Sequence, residues 1–162
     1  SNMKLASGFC PADALLKVGV NLAIGTDGCA SNNDLDMFDE LRTAALLAKA
    51  VAQDATAFKA YSALQSATSG GARAMGLEQQ IGSLEAGKQA DIIAVDFSQI
   101  ETLPLYDVVS QLVYAASRQL VSDVWIAGKI KLQNRQLVDI DIQKVQATAR
   151  QWQTTIQNIP TI

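Results

Sequence analysis

One carboxylate stands out in a chain of 162 residues that contains no histidine. Asp27 follows the run Asn21-Leu22-Ala23-Ile24-Gly25-Thr26 and precedes Gly28 and the polar tail Cys29-Ala30-Ser31-Asn32-Asn33-Asp34. A short apolar run between glycines reads as a buried strand, here Val20 to Gly25, with Asp27 at its C-terminal end. Sites of α/β folds are built at that end. A carboxylate there either caps the next turn or belongs to such a site. The absence of histidine narrows the chemistry. Ser-His and Cys-His nucleophile systems are excluded, and a metal centre made by this chain alone would have to use carboxylates and thiols.

The elements that must position Asp27 are legible around it. Pro11 suits the first position of a helix from Ala12 to Val18, and Gly19 suits its end. Helix, glycine, strand and loop make half of a βαβ unit, so the chain is expected to start inside a repeating architecture. Beyond the Asp27 loop, Asn33 or Asp34 is expected to cap a helix running to about Ala52, with Asp34, Asp36, Asp39 and Glu40 complementing its dipole. Met37, Leu41, Ala44, Ala48 and Val51 form its apolar stripe, widened by Leu35, Phe38, Leu46 and Leu47. These acids read as a helix start, since the glycine and terminal glutamate of a calcium loop are absent. A helix from Thr56 to Ala67 follows, then Ser69-Gly70-Gly71 as a linker, and a short helix from Ala72 to Met75 closed by Gly76.

From Leu77 the pattern changes to turns and short strands. Ala90 to Asp96 reads as a β-branched strand, Asp107 to Ser117 as a helix, and Val121 to Ile126 with Lys129 to Leu132 as a hairpin turning at Ala127-Gly128. Arg135 to Val138 offers one more short strand. A final helix places Ile142, Val145, Ala149, Trp152, Ile156 and Ile159 on one face, by which it is expected to dock, and Pro160 ends it. The domain division expected is 1–77, 78–141 and 142–162.

Composition bounds the partners. Apolar residues make up 49% of the chain and the net charge is −3. No run is long enough to span a membrane and no basic patch stands out, so neither membrane nor nucleic acid is an expected partner. Two cysteines, Cys10 and Cys29, make no disulfide framework and suggest a reducing cytoplasm. Cys29 is expected to be a small buried residue, and Trp125 and Trp152 core or interface anchors.

Four ordered motifs carry a resemblance over essentially the whole chain. Gly25-Thr26-Asp27-Gly28 with Ser31-Asn32-Asn33-Asp34-Leu35-Asp36-Met37 resembles the last barrel strand of the amidohydrolase superfamily. Gly82-Ser83-Leu84-Glu85-Ala86-Gly87-Lys88-Gln89-Ala90-Asp91 resembles the passage from barrel to β-sandwich, where Lys88 and Asp91 are expected to be structural. Leu105 to Ala115 is similar to the subgroup of S-adenosylhomocysteine/5'-methylthioadenosine deaminases and chlorotriazine hydrolases, and Val124-Trp125-Ile126-Ala127-Gly128-Lys129 to its sandwich hairpin. Ser1-Asn2 reads either as an expression scar or as native sequence; Met3 to Pro11 fits the loop after the family's seventh barrel strand, so native sequence is the expectation.

The resemblance implies an α/β fold: the C-terminal part of a (β/α)8 TIM barrel, then part of a composite β-sandwich domain and a terminal helix. It implies hydrolytic deamination of a purine nucleoside-like substrate by water activated on a divalent metal, zinc in most members. Asp27 matches the residue that binds the metal and accepts the water's proton. Gly28 and Ser31 match loop positions facing substrate; on residue type alone, Gly28 could equally serve a turn and Ser31 a helix cap. The family's histidine ligands and catalytic glutamate lie on earlier strands that this sequence lacks, and one carboxylate cannot hold a zinc ion needing three or four protein ligands. The chain is therefore expected to be inactive without a missing N-terminal part. An open parallel edge and uncovered helix faces lead us to expect a homo-oligomer, a domain swap or poor folding in isolation. The competing reading is a non-catalytic structural or interaction module that keeps the scaffold.

Overall fold

A computed structural model of the chain describes residues 2–159. The expected stop at Pro160 lies outside them. The first helix, α1 (Ala12–Lys17), has Pro11 as its N-cap rather than its first helical residue. Gly19 leaves it with φ +82, and the amides of Gly19 and Val20 bond back to Leu16 and Leu15. This is a left-handed helix exit, which glycine adopts without Cβ strain.

Residues 20–25 depart from the sequence reading. They pair with no strand among the described residues, because a strand is defined by a ladder and none lies alongside. The segment is anchored to helices instead. The Ile24 amide donates to Ser66 O at 3.0 Å, and Asn21 Nδ2 donates to Gly70 O at 3.0 Å.

The next helix, α2 (Met37–Ala52), begins two residues later than expected, capped by Asp36, whose carboxylate accepts from the Phe38 amide at 2.8 Å. The expected caps lie in the preceding turn, where Asn33 Nδ2 donates to Cys29 O and Asp34 Oδ1 accepts from the Asp36 amide, beside Asn32 Oδ1, which accepts from the Leu35 amide. Phe38, Leu41, Ala45 and Ala48 make the buried stripe of α2, while Met37, Leu46 and Val51 stay exposed. Helix α3 (Ala60–Ala67) also starts late. Asp54 accepts from both the amide and the hydroxyl of Thr56, a local turn that competes with helix. Helix α4 (Ser69–Ala74) takes in the glycines read as a linker. There a Cβ on Gly70 would meet Leu22 O at 2.5 Å and Gln65 O at 3.0 Å.

Beyond Leu77 lies one antiparallel sheet in the order β1 (Ile92–Val95), β2 (Val121–Ile126), β3 (Lys129–Gln133), β4 (Gln136–Leu137). Ile92 pairs with Trp125 and Trp125 with Ile130. Both tight turns have two central residues at positive φ, Ala127-Gly128 and Asn134-Arg135, the geometry that matches strand twist. Asp91 Oδ1 accepts from the Ala127 amide at 2.6 Å, and the Gly128 amide bonds Ala90 O. Lys88 Nζ donates to Ser83 Oγ at 2.6 Å. Both residues thus hold turns, as expected. Helix α5 (Val108–Tyr114), capped by Asp107, returns from this half to pack on α2 and α3. Its Val113 joins Leu41, Ala45, Ala48, Phe58 and Ala63 in the core, so packing crosses the expected division at residue 77.

The last helix, α6 (Ile142–Gln157), is capped by Asp141 and buries no residue. Ile142, Val145, Trp152, Ile156 and Ile159 are exposed, so the apolar face expected to dock meets no surface among the described residues. Trp152, expected as an anchor, is 62% exposed, whereas Trp125 is half-buried in β2. No helix is long and apolar enough to cross a membrane among the described residues.

The close contact at Gly70 yields a prediction. Gly70→Ala forces a methyl group against two backbone carbonyls and is expected to cost about 1–3 kcal/mol, read as a lower urea midpoint. A midpoint equal to wild type would show that the segment can move aside freely.

Candidate functional site

Asp27 sits where the anchored segment turns into the loop before α2. Its φ of +62 is in the left-handed region, which asparagine and aspartate tolerate better than most residues. The turn behind it is closed twice, by the amides of Ser31 and Asn32, both donating to Gly28 O. Ser31 Oγ lies 2.6 Å from Asp27 Oδ2 and 3.1 Å from Gly28 O. The Ser31 hydroxyl, and after it the Gly28 amide, hold the Asp27 carboxyl below its ordinary value. Asp27 is therefore ionised at neutral pH.

The loop is braced from three sides. Asn32, buried, donates to Glu40 Oε1 at 2.7 Å. Lys4 reaches Ala30 O and Asn33 Oδ1 from the N-terminal segment. Arg118, beyond α5, donates to Asp34 O at 2.7 Å and pairs with Asp36 at 3.7 Å. Asp34, Asp36 and Asp39 bring carboxylate oxygens within 4.8 Å of one another, but Arg118 and the α2 cap already use the first two.

A cavity of about 290 Å3 opens between this segment, α1 and α2. Asp27, Glu40, Thr43, Cys10 and Phe58 line it. Of the three expected site residues, Asp27 lines the cavity; Gly28 and Ser31 do not, and Ser31 is bonded to Asp27 instead. Cys29 is exposed rather than buried. It rides on the outside of a turn whose inner contacts are made by Ser31 and Asn32. Asn32, Glu40 and Lys4 escape sequence reasoning because their roles come from partners that only the fold brings near. Glu40 carries the one faint signal, an acid in the first turn of an amphipathic helix.

Residues 1–131 match the amidohydrolase family. The chain belongs to that family. A 5-methylthioadenosine/S-adenosylhomocysteine deaminase of Teredinibacter turnerae is 53% identical over 152 residues, covering 94% of this chain and 34% of that protein. The namesake of Saccharophagus degradans is 48% identical over 157 residues, 97% of this chain and 35% of its own. Among solved structures, an adenosine deaminase from Xanthomonas campestris with bound zinc superposes with a TM-score of 0.95 at 63% identity, over 98% of this chain and 36% of that one. A zinc complex of the atrazine chlorohydrolase of Arthrobacter aurescens gives 0.85 at 25% identity, over 93% and 33%. The chain thus spans about a third of the length of the relatives it matches.

A zinc ion, as in those structures, is tested against the residues present. Asp27 offers an ionised carboxylate beside a cavity, which suits one ligand. The chain has no histidine, and the triad of acids near α2 does not include Asp27. A structural or catalytic zinc needs three or four protein ligands, and among the described residues no such set includes Asp27.

The floor of the cavity depends on a second carboxylate. Asp13 of α1 accepts from the Phe58 amide at 2.9 Å and pairs with Lys17 at 2.7 Å. Lys17, then the Phe58 amide, lower its pKa. The unfolded chain therefore binds the proton more readily, and stability rises with pH across that window. The contribution is complete above about pH 4, the ordinary carboxylate range, and fades as pH falls through the lower folded value. Wild type is expected to melt above Asp13→Asn at neutral pH, with the gap closing on acidification. A gap that persists to about pH 2 would show that the charge is not its source.

Proposed function

We propose that this chain is the C-terminal part of a hydrolytic deaminase acting on an adenine-type nucleoside: S-adenosylhomocysteine, 5'-methylthioadenosine or adenosine. The reading rests on one observation above all. The ionised Asp27, fixed at the mouth of a cavity, lies in a chain 53% identical to a 5-methylthioadenosine/S-adenosylhomocysteine deaminase. Its role is that of a metal ligand and proton acceptor. A divalent metal, zinc by preference, supplies the activated water when bound, and its remaining ligands come from outside these residues. Gly28 follows Asp27 at the edge of the substrate region. A Cβ there would stand in open space, with no atom within 4 Å, and the Gly28 amide bonds the Asp27 carboxylate.

This reading makes the isolated chain inactive and self-associating. Val18, Trp152 and Ile156 are each more than 60% exposed, and apolar surface of that kind favours association. A soluble, cytoplasmic setting fits the two unpaired cysteines.

The test is complementation. The chain is mixed with the N-terminal remainder of the enzyme and zinc, and deamination is followed by the loss of adenine absorbance. Activity is expected only in the mixture and in the full-length enzyme, and Asp27→Asn is expected to abolish both. Wild-type turnover by Asp27→Asn would refute the role of Asp27. An inactive mixture beside an active full-length control would refute assembly from two pieces. Absence of a histidine-bearing segment upstream in the gene would favour the non-catalytic module, for which the lack of histidine in this chain speaks.

A further inference from the structure

We infer that Ser31 is the positioning residue of Asp27, rather than a contact to substrate; the inference rests on the proposed role of Asp27. The geometry has three parts. Ser31 Oγ sits 2.6 Å from Asp27 Oδ2, the length of a hydroxyl bonded to an ionised carboxylate, which is stronger than a neutral pair. Ser31 is only 9% exposed and is not among the residues lining the cavity, so water and substrate compete poorly for its hydroxyl. Its backbone is itself held: its amide donates to Gly28 O, as does that of Asn32, and the Asn32 side chain is tied to Glu40 and to the Leu35 amide.

The consequence is a carboxylate held in one orientation beside the cavity. Ser31 engages Oδ2, and the Gly28 amide also bonds the carboxylate, while Asp27 as a whole lines the cavity and Ser31 does not. An aspartate on a left-handed residue at a loop entry would otherwise rotate about two side-chain bonds. Here the rotation is stopped by a hydroxyl four residues on, and that hydroxyl is stopped by a turn built from buried polar groups. Glu40 lies at the far end of the same chain of contacts and also lines the cavity. Side chains that orient a ligating or proton-accepting group commonly change activity or metal retention by about 10- to 100-fold when removed.

The experiment uses the full-length, zinc-loaded enzyme and compares Ser31→Ala, Ser31→Thr and Asp27→Asn. Ser31→Ala is expected to lower kcat by roughly 10- to 100-fold with KM unchanged and to release zinc faster to a chelator. Ser31→Thr keeps the hydroxyl and is expected to restore most of both. A raised KM at unchanged kcat would overturn the inference in favour of a substrate contact. No change in either constant would overturn it in favour of a simple turn residue. So would Ser31→Thr as impaired as Ser31→Ala, if both melt with the wild type. Should Ser31→Ala melt early, Ser31→Cys decides, being close in size but a weak donor: wild-type turnover and zinc retention in it refute the inference, and loss of both supports it. Asp27→Asn separates the two layers, because full activity there refutes the role of Asp27 whatever Ser31 does.

Discussion

The carbonyl of Leu22 lies so close to Gly70 that no side chain fits between them, and the placement of Asp27 depends on that approach. Residues 20–25 have no strand beside them among the described residues, so one backbone and one side-chain hydrogen bond to the α3–α4 region take the place of a ladder. Ser66 O accepts from Ile24, and Gly70 O accepts from Asn21. A segment pinned at Asn21, Leu22 and Ile24 carries little freedom into the next turn. Gly82 plays a matching part: its φ is +92, and a Cβ there would fall 2.6 Å from that of Ala72. The two glycines let chain on either side of α4 close up to backbone distance.

The loop after Asp27 gains its rigidity from buried polar groups. Ser31, Asn32 and Asp36 are each less than 10% exposed, and each has a hydrogen-bond partner in the loop or the helix it enters. Burial of such groups is unfavourable unless they are satisfied, so the bonded arrangement is strongly preferred over alternatives that would strand them. Arg118 and Lys4 tie the same loop to distant parts of the chain.

The C-terminal half follows a different logic. Its sheet is antiparallel and its strands are short, and hairpin turns set their register. Asp91 and Ala90 fasten β1's approach to the turn between β2 and β3, so the motif around Gly87-Lys88 organises turns. Helix α5 links this half to the helical core, joined by Arg118 on the loop before α2 and by Gly82 against α4. Helix α6 keeps an amphipathic pattern over four turns and meets no surface among the described residues, so its apolar residues stand exposed there.

Local patterns in the sequence determined a good deal. Pro11 and Gly19 marked the ends of α1, the β-branched runs located β1 and β2, and Ala127-Gly128 identified the hairpin, because each depends on a few neighbouring residues. The prominence of Asp27 was legible for the same reason: an acid after an apolar run is a local oddity. Tertiary structure decided the rest. It turned the expected strand at 20–25 into a helix-anchored segment, since pairing requires a partner that sequence cannot supply. It moved the cap of α2 from Asn33 or Asp34 to Asp36, because the earlier acceptors are consumed by the loop. It also turned Ser31 inward onto Asp27 and left Cys29 and α6 exposed, because burial depends on what packs nearby, and residue type alone does not carry that information.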